Sequence, residues 1–168
     1  MRRKPAVIIA PMTRDGKIVL IHQERIPIRA AIWEMPSGQI DNSVAGDRLV
    51  AGIVAPGRAS ETVEQVALRE LREEAGYELA RDGRLIALGH YFSSPGFTDE
   101  LGYFFLARPV QQCKEASAQD EGESILDCRE FSVEEIRRMI AENEIGDANT
   151  LAICVRLAAR GFLSLAPR

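Results

Sequence analysis

The sequence predicts an α/β fold, in which helices are layered on a sheet in the α+β or α/β manner. Three observations predict it. Short apolar runs are bounded by turn residues, which is the pattern of strands. Longer segments carry helical periodicity between capping residues. The two kinds of segment are interspersed along the chain rather than grouped. The 168 residues fit a single domain spanning 1–168. A hydrophobic fraction of 46% is enough to build a core without disulfide staples.

The elements follow in order. Ala6–Ala10 reads as a buried strand, Thr13-Arg14-Asp15-Gly16-Lys17 as a turn marked by Asp-Gly, and Ile18–Ile21 as the returning strand. Trp33-Glu34-Met35 reads as a short strand ended by Pro36. Residues 39–60 are irregular, and the apolar stretch Leu49 to Ala55 is compatible with a strand or a folded loop. Ser60 reads as the N-cap of a helix that opens at Glu61 to Glu64 and runs to about Ala75. Gly76 stands at the position that favours a left-handed residue. Glu64 lies four residues after Ser60, one too many for a capping box. Arg84–Phe92, Gly102–Ala107 and Ser124–Phe131 read as strands. Ser132 caps a helix over Val133–Glu142, and Asp147 or Asn149 starts another that runs to about Arg160 and closes at Gly161.

Bulk properties remove several function classes. A net charge of −4 offers no surface for wrapping DNA or for binding an anionic membrane. No segment is apolar for long enough to span a bilayer. The apolar run after the basic start is too short for a secretory leader. Cys113, Cys128 and Cys154 are odd in number and far apart, which suggests free thiols. Together these lead us to expect a cytoplasmic protein with no nucleic-acid or membrane partner. His22 and His90 have no partner at metal-ligand spacing and read as structural.

The helix from Val63 to Ala75 is unusual. At about 100° per residue, Ala67, Leu71 and Val66 form an apolar stripe with Val63, and Glu70 and Glu74 fall within about 20° of Val63. Two carboxylates thus project from the greasy face one turn apart, with Glu73 at its edge. Like charges at that spacing repel, and burying them costs several kcal/mol each unless something positive sits among them. Arg69 neighbours them on the wheel but points away from their midline. A hard divalent cation, Mg²⁺ first and Mn²⁺ as the alternative, would supply the counter-charge for oxygen donors; the other reading is a solvated helix with surface ion pairs such as Arg69 with Glu73.

Arg69-Glu70-Leu71-Arg72-Glu73-Glu74-Ala75-Gly76-Tyr77 resembles the second half of the Nudix box, R-E-U-x-E-E-x-G-U, and Glu61 stands where that family places a further glutamate. The box's opening glycine is displaced. Position 55 is alanine, and Gly38 in Trp33-Glu34-Met35-Pro36-Ser37-Gly38-Gln39-Ile40-Asp41, 55 − 38 = 17 residues earlier, is the better match. This implies an insertion at about 41–58. Ser93-Ser94-Pro95-Gly96-Phe97-Thr98-Asp99-Glu100 is similar to a stretch found in ADP-ribose pyrophosphatases and related sugar-nucleotide hydrolases. Asp120-Glu121-Gly122-Glu123-Ser124-Ile125 is similar to their acidic catalytic loop.

The resemblance implies a Nudix-type α/β/α sandwich with a mixed central sheet. It also implies Mg²⁺-dependent hydrolysis of a nucleoside diphosphate-linked small molecule, with ADP-ribose as the leading substrate. GDP-mannose, UDP-glucose and NADH stay open, as does a non-catalytic nucleotide-sensing module. The metal ligands implied are Glu70, Glu73 and Glu74, with the backbone carbonyl of Ser37. Glu123 is implied as general base with Glu121 second, and Glu74 joins them as a catalytic residue. Arg25 is implied as a phosphate fork. Glu34 and Phe97 are assigned to the substrate. The Trp33 ring is equally suited to stacking on a base or to packing in the core. The N-terminal subdomain that many relatives use to dimerise is not recognisable, which leaves a homodimer by another route open.

Overall fold

The computed structural model describes residues 3–40, 61–114 and 124–166. The expected insertion at about 41–58, the Leu49–Ala55 stretch, Ser60, Glu121 and Glu123 lie outside the described residues.

Among the described residues, seven strands form one sheet. β1 (Ala6–Thr13), β2 (Ile18–Arg25), β3 (Ala30–Glu34), β4 (Ser37–Gln39), β5 (Tyr77–Phe92), β6 (Leu101–Gln112) and β7 (Ile125–Phe131) are joined in the order β3-β2-β1-β6-β5, with β4 also pairing β1 and β7 also pairing β2. β1 runs parallel to β6 from Ala6↔Gly102 onward, and the other pairings are antiparallel, so the sheet is mixed. β1 and β2 meet at Met12↔Ile18 beside the Asp-Gly turn and then part. The parting lets β4 pair with β1 while β3 and β7 flank β2. A cleft between two diverging halves of a sheet is where the chain ends of several elements can converge.

Strand alternation divides the core. Ile8, Ala10 and Met12 of β1, with Phe104 and Leu106 of β6, pack against Ile136 and Met139 of α2 (Val133–Ala141) and Ile153, Cys154 and Leu157 of α3 (Ala148–Ala159). Val7 and Ile9, with Phe105 and Ala107, face the other way onto Val66, Ala67, Leu71 and Ala75 of α1 (Val63–Ala75). The result is the expected α/β/α sandwich.

β1, β2 and β6 run on to Thr13, Arg25 and Gln112, beyond the ends read from the sequence, and three other boundaries differ from that reading. The N-cap of α1 is Thr62, not Ser60, and it forms a full capping box with Gln65: the Gln65 N–H donates to Thr62 Oγ1 at 3.2 Å, and the Thr62 N–H to Gln65 Oε1 at 2.7 Å. Gln at the third helical position serves as well as Glu, and Val63 is simply the first helical residue. β5 begins at Tyr77 rather than Arg84, because Arg81-Asp82-Gly83 forms a bulge within one long strand. The register shifts between Leu79 and Arg84, opposite Pro109 of β6. β3 ends at Glu34, before Met35, and β4 was not anticipated. The turn at Gly16, with φ +84°, and the start of α3 at Asp147 agree with expectation.

Candidate active site

α1 delivers its carboxylates as the wheel requires. Glu70 is 7% exposed and Glu74 3% exposed, beside apolar neighbours that are almost fully buried. Both face β4. The Ser37 N–H donates to Glu74 Oε2 at 2.6 Å. A Cβ on Gly38 would fall on the carboxyl group of Glu70, so glycine at 38 is what allows the strand to lie against that side chain. β4 is itself pinned to β1 through Val7↔Gly38 and Ile8↔Ser37, and the Ile9 N–H donates to Pro36 O at 2.9 Å.

Arg69 is closer to these carboxylates than the wheel suggests. Its Nη1 lies 2.9 Å from Glu70 Oε1 and 2.7 Å from Glu73 Oε2, and its Nε lies 3.2 Å from Glu61 Oε2. Burial works against its charge, but the bond to Glu73 and the fields of Glu70, Glu73 and Glu61 outweigh that and raise its pKa. The expectation that Arg69 points away is therefore corrected: a flexible guanidinium bends back across one turn to three acids.

Across the cleft, Arg25 at the end of β2 donates from Nε to Glu34 Oε1 at 2.8 Å. Glu34 is 4% exposed. Burial pushes its pKa up, Arg25 pulls it down, and Asp147 pushes it up again, for a net rise. Arg25 feels the charges of Glu34, Glu74 and Asp147 together, which sets the N-terminus of α3 beside this group. Asp147 Oδ2 accepts from Thr150 Oγ1 at 2.7 Å, and Thr150 Oγ1 accepts from the Met35 N–H at 2.9 Å, tying α3 to the link between β3 and β4. The sequence reading took Asp147 only as a cap. It also missed Gln23 on β2, a 4% exposed amide; a polar residue two before Arg25 on a strand was the available signal.

Two other candidates stand apart from the carboxylates. Trp33 lies on the opposite face from Glu34, its ring stacked on His22 with centroids 4.7 Å apart and edge-on to Phe131 at 5.0 Å. Of its two readings, it is engaged in packing. Phe97 is 69% exposed on the turn between β5 and β6, where the Ser93 hydroxyl donates to Glu100 Oε2 at 2.7 Å. Tyr91 is raised in pKa by burial and by the charges of Glu100 and Asp147, which places that turn at the same end of the sheet as the start of α3.

The donor set is wholly oxygen, and glycine at 38 leaves room for it, which suits a hard cation. Among the described residues no three His, Cys, Asp or Glu side chains converge closely enough to form a complete protein cage. No helix among them is long and apolar enough to cross a membrane.

The NUDIX domain model matches residues 2–152. The chain is 30% identical over 145 residues to an ADP-ribose pyrophosphatase of Bacillus subtilis (strain 168), covering 86% of this chain and 67% of that protein. It is 30% identical over 151 residues to a methanol dehydrogenase activator of Bacillus methanolicus, covering 90% and 70%. A solved structure of an ADP compounds hydrolase superposes with a TM-score of 0.70 at 18% identity, over 96% of this chain and 76% of that one, and so shares the fold. With the box residues on α1, the glycine against Glu70 and the sandwich around them, the chain belongs to the NUDIX family.

Proposed function

We propose that this Nudix pyrophosphohydrolase cleaves the diphosphate of a nucleoside diphosphate sugar with a divalent cation, and that its substrate is ADP-ribose, hydrolysed to AMP and ribose 5-phosphate. One observation carries the reading: Glu70 and Glu74 are buried together on the apolar face of α1, against β4. Arg69 and the Ser37 N–H offset part of the cost of burying these acids, and a cation between them would offset more. Magnesium commonly takes one or two carboxylates and completes its shell with waters and substrate phosphates, so a pair on one helix suffices. Glu70 and Glu74 would hold it, with Glu73 and the Ser37 carbonyl beside them. Bound there, it would neutralise the diphosphate and acidify a water.

The chain's own groups do the rest. Arg25 forks onto phosphate oxygens, which a net-acidic protein needs in order to hold an anion. Glu34 keeps Arg25 aimed at the cleft. Glu123, or Glu121 in its place, takes the proton of the attacking water as its oxygen bonds to phosphorus in line with the breaking P–O bond. Arg69 orients the helix carboxylates. The choice of ADP-ribose rests on the Ser93–Glu100 stretch and on the name of the Bacillus subtilis relative.

The test is a panel of ADP-ribose, GDP-mannose, UDP-glucose and NADH with Mg²⁺, Mn²⁺ or EDTA, the products being separated by chromatography. ADP-ribose is expected to give AMP and ribose 5-phosphate with Mg²⁺ and nothing in EDTA. Glu74→Gln is expected to lower kcat at least about 100-fold with an unchanged melting curve. Full turnover by that variant, or in chelator, would sink the metal reading.

A further inference from the structure

Gln23 has no place in the scheme above, and its surroundings demand one. Residues two apart on a strand share a face, so Ile21, Gln23 and Arg25 point to the same side of β2. Ile21 stands opposite Glu34, and Arg25 stands opposite Ala30. The carboxylate of Glu34 reaches from the Ile21 position to the Arg25 guanidinium. It therefore passes along the position of Gln23, which lies between them opposite Ile32. Gln23 is 4% exposed, yet its Oε1 is a buried acceptor with no hydrogen-bond partner. On the other side, β7 carries one extra residue, Leu126, where the ladder passes from His22↔Asp127 to Gln23↔Ile125, so the sheet is irregular beside Gln23 while β2 itself keeps its alternation.

A buried carboxamide with an unmet acceptor costs stability, and nearly all such groups in folded proteins find a partner. No protein donor meets Oε1, so a substrate group that engages it has to be a donor. Phosphate oxygens are acceptors and cannot satisfy Oε1. Arg25, two residues along, is the group suited to the diphosphate. A donor one strand step from a diphosphate is a sugar hydroxyl.

We propose that Gln23 is a specificity-determining residue whose Oε1 accepts a hydrogen bond from a ribose hydroxyl adjoining the diphosphate. The proposal rests on the reading of the cleft as a nucleoside diphosphate sugar site. It explains why an amide, rather than Leu or Met, occupies an otherwise apolar strand position.

The experiment compares wild type with Gln23→Met and Gln23→Leu, which keep bulk and remove the amide. Each is melted without ligand and assayed with Mg²⁺ on ADP-ribose and on analogues that each lack one ribose hydroxyl. Both variants are expected to melt at or above wild type, because an unmet buried acceptor is gone. Their kcat/KM on ADP-ribose is expected to fall roughly tenfold or more, mainly through KM. On one analogue the gap between wild type and variant is expected to close. Variants that melt lower and lose the same factor on every compound would show a packing or water-holding role and overturn the proposal. Unchanged kcat/KM would also overturn it. If wild type prefers another sugar nucleotide, the substrate reading fails separately, and the same comparison on deoxy forms of that compound still decides Gln23.

Discussion

Arg25 is asked to satisfy two anions, the fixed carboxylate of Glu34 and the phosphates of a substrate. Its side chain is 40% exposed while that of Glu34 is 5% exposed, so one end of the pair is wet and the other is not. Loss of the wet end strands the dry one. Arg25→Ala is expected to cost about 1–3 kcal/mol, less than a fully enclosed pair because Arg25 reaches solvent. Arg25→Lys keeps the charge but not the fork, and is expected to stay within about 1 kcal/mol of wild type while KM rises about tenfold. The sign with pH follows from Glu34. Its folded pKa is already raised, so its neutral form suits the fold, and stability from that source is lost as pH rises through the folded value. Removing Arg25 raises that pKa further. The deficit of Arg25→Ala is therefore expected to shrink as pH falls toward the ordinary carboxylate range. Urea unfolding at pH 5 and pH 8 checks this, and a deficit that grows on acidification would contradict it. At this scale much was legible. Glu70 and Glu74 were visible because a helical period places them on the wrong face for ions. The pairing of Arg25 with Glu34 was not, since it depends on a register between β2 and β3 that no local pattern encodes. The packing of Trp33 was hidden for the same reason: strand parity decides which way a ring points.

At the scale of elements, the site is a contact between α1 and the three-residue strand β4. The strand is too short to have a period, which is why the sequence reading passed over it, although its glycine was noticed as part of a motif. Its physical task is to bring backbone against the two acids: the Ser37 N–H meets Glu74, and the bare Cα of Gly38 meets Glu70. Gly38→Ala adds one methyl where the Glu70 carboxyl group lies. β4 is held by β1 and α1 by its buried stripe, so the side chain has to move rather than the elements. The expected outcome is a small drop in melting temperature and a loss of Mg²⁺-dependent activity of at least about tenfold, with a weaker response to Mg²⁺ in titration. Activity equal to wild type would mean that the position of Glu70 is unimportant. The helices themselves were well marked, because caps and periodicity are local. The start of α1 was misplaced by two residues because Ser60 and Thr62 both suit an N-cap, and only the Gln65 side chain decides between them.

At the scale of the molecule, one sheet separates two apolar layers. Leu71 anchors α1 on one side, and Leu157 anchors α3 on the other; both are wholly buried. The sequence announces apolar strands but not which residue of each faces which layer, so the division of the core was not readable from it. If β1 and β6, which feed both layers through alternate residues, make the two cores one cooperative unit, damage on one side has to loosen the other. Cys154 reports on this. It is completely buried in the α3 layer, and burial pushes its thiol up to about 12, so in the native state it is neither accessible nor ionised. With Cys113 and Cys128 replaced by serine or alanine, Cys154 reacts with a thiol reagent only through opening. Leu71→Ala and Leu157→Ala each remove a buried side chain and are expected to cost about 2–5 kcal/mol. When opening and closing are fast relative to labelling, the labelling rate follows the open population. Both variants are therefore expected to label Cys154 roughly 30-fold faster or more. Faster labelling in Leu157→Ala alone would mean that the α3 layer opens independently of the layer that carries the active-site helix.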